Sequence, residues 1–75
     1  MKDKIKEHME VLGSDGEHVG TVDRCEGPTI KLTKNDPKAG GEHHIIPMAW
    51  VKRVDSQVHL SRTCGDAMQN WKSVA

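Results

Sequence analysis

The segment Gly13-Ser14-Asp15-Gly16-Glu17-His18-Val19-Gly20-Thr21-Val22 constrains the fold of this chain more than any other stretch. Asp15-Gly16 predicts a tight hairpin of type I′, whose two central residues need positive φ, a conformation that Asp and Gly tolerate best. Gly20 falls inside the strand that follows. A missing side chain there marks a bulge, a sharp bend, or the close approach of another backbone. A bent strand directly after a hairpin is how a small sheet curls on itself. The glycines carry no phosphate-binding signature, because their spacing is wrong and the segment enters a strand rather than a helix.

Local signals divide the rest of the chain. Residues 1–8 read as a polar arm, either frayed or a short helical turn, with Ile5 its one apolar anchor. Met9–Leu12 and His18–Arg24 read as the first two strands. Gly27-Pro28 breaks the chain before Thr29–Thr33, whose alternation turns Ile30 and Leu32 inward. Asn35–Glu42, with Pro37 and paired Gly40-Gly41, reads as the longest and most mobile loop. His43–Ile46 is a fourth strand ended by Pro47. Pro47–Trp50 reads as a turn or a single helical turn with Pro at its first position. Val51–Val54 and Gln57–Ser61 form a last strand pair about an Asp55-Ser56 turn. The period then changes: Cys64, Met68 and Trp71 share one helical face, and Thr63 with Asp66 makes a near capping box. This predicts a helix over 62–73, anchored by Trp71.

Composition limits what such a sheet can do alone. Seventy-five residues allow one domain, residues 1–75, and the chain has no Phe or Tyr and only 35% hydrophobic residues. A core this thin favours added support from a partner, so a homodimer is expected. Eleven basic and eleven acidic residues cancel. The usual basic footprint of nucleic-acid binding is therefore missing. Two cysteines are too few for a disulfide framework, no leader-like segment opens the sequence, and no apolar run could span a bilayer. The expectation is a cytoplasmic protein with reduced thiols and no membrane role.

The ordered series Ile5, Met9, Gly13-Ser14-Asp15-Gly16, Val19-Gly20, Ile30-Lys31-Leu32-Thr33, His43-His44-Ile45-Ile46-Pro47, Trp50-Val51 and Trp71 carries a resemblance. The hairpin resembles the opening of PRC-barrel-like domains. The whole series resembles a family of short bacterial proteins, catalogued as a domain of unknown function, in or near that group. The resemblance implies a mostly β fold: a small, strongly bent antiparallel barrel of about six short strands with a short C-terminal helix. Barrels of this group serve as docking modules in the photosynthetic reaction-centre H subunit and in a ribosome-maturation factor. The resemblance implies no catalytic, cofactor-binding or metal-binding residue.

Among the five histidines, His43-His44 is the obvious metal candidate, but adjacent strand residues face opposite ways. A site would need His8, His18, His59 or a Cys from another strand, and no zinc spacing is present. Surface or edge-strand histidines are the expectation. Cys64 at a helix start is offset by Asp66 and shares the buried stripe, while Cys25 reads as exposed. Ser14, Ser56, Ser61 and Ser73 lack a nucleophile context. Asp23–Arg24 and Glu42–His43 read as solvated pairs, and Trp50 and Trp71 as core rather than base-stacking platforms. The sequence thus reads as a non-enzymatic interaction or adaptor module with an unidentified protein partner. RNA or ribosome association is the alternative, and a metal- or thiol-dependent protein is third. No catalytic, cofactor or metal residue is assigned.

Overall fold

The computed structural model describes residues 2–74. Seven strands form one sheet: β1 (Glu10–Leu12), β2 (His18–Glu26), β3 (Thr29–Leu32), β4 (His43–Pro47), β5 (Val51–Val54), β6 (Val58–Leu60) and β7 (Lys72–Val74). One helix, α1 (Cys64–Asn70), precedes β7, and 3-10 turns occupy Lys2–Lys4, Pro37–Ala39 and Met48–Trp50. The sheet order is β5-β6-β1-β2-β3-β4-β7. The mostly β expectation holds, with differences in closure, strand direction and the C-terminus.

The sheet does not close into a barrel: β5 and β7 are its two open edges. It is also mixed rather than antiparallel, because β1 pairs with β6 in parallel at Val11–Val58 and Leu12–His59. All other pairings are antiparallel. The bending expected near Gly20 is present. Register slips between Val11 and Leu12 against β2, and again between Val22 and Arg24 against β3, so the long β2 strand turns from one half of the sheet into the other.

The turn type differs from the expectation, and of the three readings of Gly20 the bulge and bend hold while the close backbone approach does not. The first hairpin is not type I′, because Gly16 (φ 81°) has positive φ and Asp15 does not. The Gly13 carbonyl accepts from the Gly16 amide, and the Gly13 amide donates to the Glu17 carbonyl, each at 2.9 Å. This is a three-residue loop closed by a left-handed glycine. At Gly20 the close neighbour is not a crossing backbone but the Leu32 side chain, 3.1 Å from where a Cβ would sit. The tight approach of backbone to backbone is at Gly13, where a Cβ would lie 2.5 Å from the Cys64 nitrogen.

The alternating strands bury Val11, Val19, Val22, Ile30, Leu32, Ile46, Val58 and Leu60 almost completely. Burying each of these contributes about 1.5–3 kcal/mol. Ile5 on the N-terminal arm and Cys64 and Ala67 on α1 complete the cluster. Of the two readings of the arm the short helical turn holds, at Lys2–Lys4, and the arm is docked: the His8 amide donates to the Val22 carbonyl at 2.8 Å.

Thr63 caps α1 by accepting from the Asp66 amide at 3.1 Å. The helix is shorter than expected and ends at Asn70. Trp71 is its C-terminal cap in extended conformation (φ −71°, ψ 163°), and the chain continues as β7 against β4. Only three residues long, β7 leaves no alternating pattern to read. The Asn35–Glu42 loop is also tied down: it holds a 3-10 turn, Ala39 is buried, and the Asp36 side chain is 2% exposed.

Candidate functional site

The electrostatic centre of the molecule is a string of five side chains that the sequence reading did not assemble. Glu10 stands on β1, His18 and Thr21 on β2, Asp36 at the cap of the Pro37–Ala39 turn, and Gln57 just before β6. His18 Nδ1 lies 2.8 Å from Glu10 Oε2, and His18 Nε2 lies 2.5 Å from Asp36 Oδ2. The Thr21 hydroxyl donates to the same Asp36 oxygen at 2.7 Å, and the Lys38 amide donates to Asp36 Oδ1 at 2.9 Å. Gln57 Nε2 donates to Glu10 Oε1 at 2.6 Å.

An imidazole ring between two carboxylates satisfies both only when each nitrogen carries a proton. Partial burial works against a charged His18, but its bonds to Glu10 and Asp36 outweigh that penalty and raise its pKa above the ordinary histidine value. The His18 bond, then the Gln57 bond, lowers the pKa of Glu10. Burial works against a charged Asp36, but bonds from the Lys38 amide, Thr21 and His18 lower its pKa overall. The string is a charge-assisted clasp joining β1, β2, the Asp36 turn and the start of β6.

The clasp also has a definite chemical limit. Its order is Thr–Asp–His–Glu, so the hydroxyl meets a carboxylate that is already a weak base. Both imidazole nitrogens are occupied by donation. In this state it holds backbone segments together and cannot take a proton from Thr21. Thr21 and Asp36 form part of the wall of a groove of about 310 Å³, which His8, Asp23, Thr33 and Asn35 also line together with the apolar Val22 and Pro37.

The other histidines are placed apart. His8 is exposed. His43 Nδ1 accepts from the Lys34 amide at 3.2 Å. His59 Nε2 lies 2.9 Å from Asp55 Oδ1. His44 departs from the surface reading: it is buried because β7 covers the strand edge, and its ring stacks on Trp71 with centroids 3.7 Å apart. Its Nδ1 is buried without a hydrogen-bond partner, and burial lowers its pKa. Among the described residues, no three His, Cys, Asp or Glu side chains converge as metal ligands.

Cys25 is half-buried against the core rather than exposed, whereas Cys64 is buried and its thiol meets the His18 carbonyl at 3.3 Å. Ser14, Ser56, Ser61 and Ser73 are exposed. Arg24 pairs with Glu26 at 2.9 Å, not with Asp23. Neither tryptophan is in the buried core: both are half-buried, Trp71 against His44 and Trp50 under the Arg62 guanidinium, 4.5 Å from the ring centroid. Asp36 and Gln57 gave no sequence signal, because Asp36 joins the string only through its long-range contacts to His18 and Thr21 on β2, and Gln57 reaches Glu10 only through the parallel β1–β6 pairing.

No described helix is long and apolar enough to cross a membrane. No curated protein matches the chain. A family model described as "Uncharacterized protein conserved in bacteria (DUF2171)" matches residues 5–68, which include every strand except β7, all five clasp residues and most of α1. The chain belongs to this family of conserved bacterial proteins.

Proposed function

We propose that the protein is a non-enzymatic docking module of the bacterial cytoplasm that takes a protein partner along the open β5 edge. The observation that carries this reading is the chemistry of that edge. β5 is an outer strand with an unpaired side, and it exposes Lys52 and Arg53. A groove of about 300 Å³ beside it is lined by Lys52, Arg53 and His59, together with the Gly13–Gly16 turn. Unpaired strand groups accept an added strand, and Lys52, together with Arg53 in exchange for its ion pair with Asp55, favours one with acidic side chains. Trp50 and Arg62, residue types enriched where binding energy concentrates, stand next to the edge, where the Ser61 amide bonds the Trp50 carbonyl at 2.8 Å. The resemblance of the Gly13–Val22 hairpin to PRC-barrel docking modules supports the same reading.

The test is affinity capture from the native cell, analysed by mass spectrometry, with wild type and the Lys52→Glu/Arg53→Glu double variant. The expected result is a stoichiometric acidic partner that the charge reversal loses while the melting temperature holds. Light scattering on the purified chain separates a second copy from a foreign partner, since a monomer has a mass of 8.3 kDa. Salt-sensitive RNA capture, or stoichiometric metal in the untagged protein, would replace this reading with the nucleic-acid or metal one.

A further inference from the structure

We propose that His18 is a proton-controlled clasp across the β1–β6 seam, and that loss of one proton frees Glu10 while Asp36 stays bound. The seam is the thinnest junction in the sheet. The parallel pairing of β1 with β6 spans only Val11–Val58 and Leu12–His59, yet it joins the β5–β6 hairpin to the remaining strands. The Glu10 carboxylate strengthens it from the side, with one oxygen on Gln57 and the other on His18.

The direction of release follows from burial. A neutral imidazole keeps one N–H and turns a lone pair toward the other carboxylate. At Asp36 that repulsion has no relief, because the side chain is 2% exposed and also receives the Thr21 hydroxyl and the Lys38 amide. The Glu10 side chain is 40% exposed and can rotate into water. The remaining proton therefore stays on Nε2, Glu10 swings out, and its bond to Gln57 goes with it. The charged groups facing the ring are Glu10 from β1 and Asp36 from the turn before β4. Gln57 beside β6 is neutral, and α1 presents the Cys64 thiol to the His18 carbonyl, not to the ring. The seam is closed while the ring is charged and loosens as pH rises through the raised His18 value. Its effect falls on the β5–β6 hairpin, whose outer edge carries the docking reading above, although the clasp stands without that reading.

The experiment is nitrogen-15 NMR of the labelled full chain from about pH 5 to about pH 9. It follows the His18 ring nitrogens and, after correction for intrinsic rates, hydrogen exchange at the β6 amides. The expected neutral form carries its proton on Nε2, and β6 exchange rises about tenfold or more as the ring titrates. Glu10→Gln, which keeps an acceptor oxygen and removes the charge, should titrate at lower pH and lose most of that pH dependence. A neutral ring protonated on Nδ1, or wild-type β6 exchange that ignores the His18 titration, overturns the proposal whether or not the variant folds.

Discussion

Gly13→Ala should be among the most damaging single-methyl additions this chain can suffer. A Cβ at Gly13 would lie 2.5 Å from the Cys64 nitrogen, 2.7 Å from Asp15 Oδ1 and 3.0 Å from the Thr63 carbonyl carbon. Ordinary contact needs about 3.5 Å, so the start of α1 must retreat by roughly 1 Å. The obstacle is backbone at the capped end of a helix and cannot rotate aside. Retreat also strains two bonds that hold this corner, Ser14 amide to Arg62 carbonyl at 2.8 Å and Cys64 amide to Asp15 at 3.3 Å. Overpacking costs about 1–3 kcal/mol, and each lost bond adds about 1 kcal/mol. The sum, roughly 3–5 kcal/mol, is a large part of the stability of so small a domain. The same change at Gly65 meets nothing within 4 Å, and in a helix it should be neutral or stabilise by up to about 1 kcal/mol. In thermal melts followed by circular dichroism, Gly13→Ala should melt roughly 12–40 °C below wild type and Gly65→Ala at or above it. Equal melting temperatures for the two variants would refute the reasoning.

Three further outcomes concern the His44–Trp71 stack. His44→Phe keeps the ring on Trp71 and removes the unpartnered Nδ1, so it should stabilise by about 1–2 kcal/mol, and a lower denaturant midpoint would contradict this. The folded pKa of His44 lies below the ordinary value, so its contribution is complete above about pH 6.5 and is lost as pH falls through the lowered value. Urea titrations across that range should show an acid-side loss of stability that shrinks in His44→Phe. Trp71 is half-buried, so Trp71→Ala should cost about 1–3 kcal/mol, less than the 3–5 of a fully buried Trp, and leave a cooperative melt. Complete unfolding would show that β7 closes the core and not only its edge.

What the sequence shows depends on the range of each interaction. The alternation of Thr29–Thr33, the Asp55-Ser56 turn and the Thr63 cap are local, and the strands and helix start fall where those patterns put them. Trp71 fits the Cys64–Met68 stripe in a helical projection, but its ring is claimed by His44 on β4 and the helix ends before it. His44 reads as a surface or edge-strand residue because β7 is too short to announce itself. Asp36 carries every local mark of a solvated loop residue. What buries it is a pair of contacts to β2, from His18 and Thr21, 18 and 15 positions away. The candidate site is therefore legible residue by residue only after the register is known.

The position of β1 has a kinetic consequence. It is the first strand in the chain, yet it sits near the middle of the sheet, between β2 and β6. Its β2 neighbour arrives at once, while contacts on the other side join residues such as Glu10 and Gln57, 47 positions apart. The β2–β3–β4 meander can assemble from nearby partners, but the loop that brings β6 beside β1 must close over most of the chain, and such non-local closure sets a slow rate. During synthesis β1 therefore waits with its hydrogen-bonding edge uncovered until residues 58–60 have left the ribosome. That nascent edge, rather than either edge of the finished sheet, is where a wrong strand would add first.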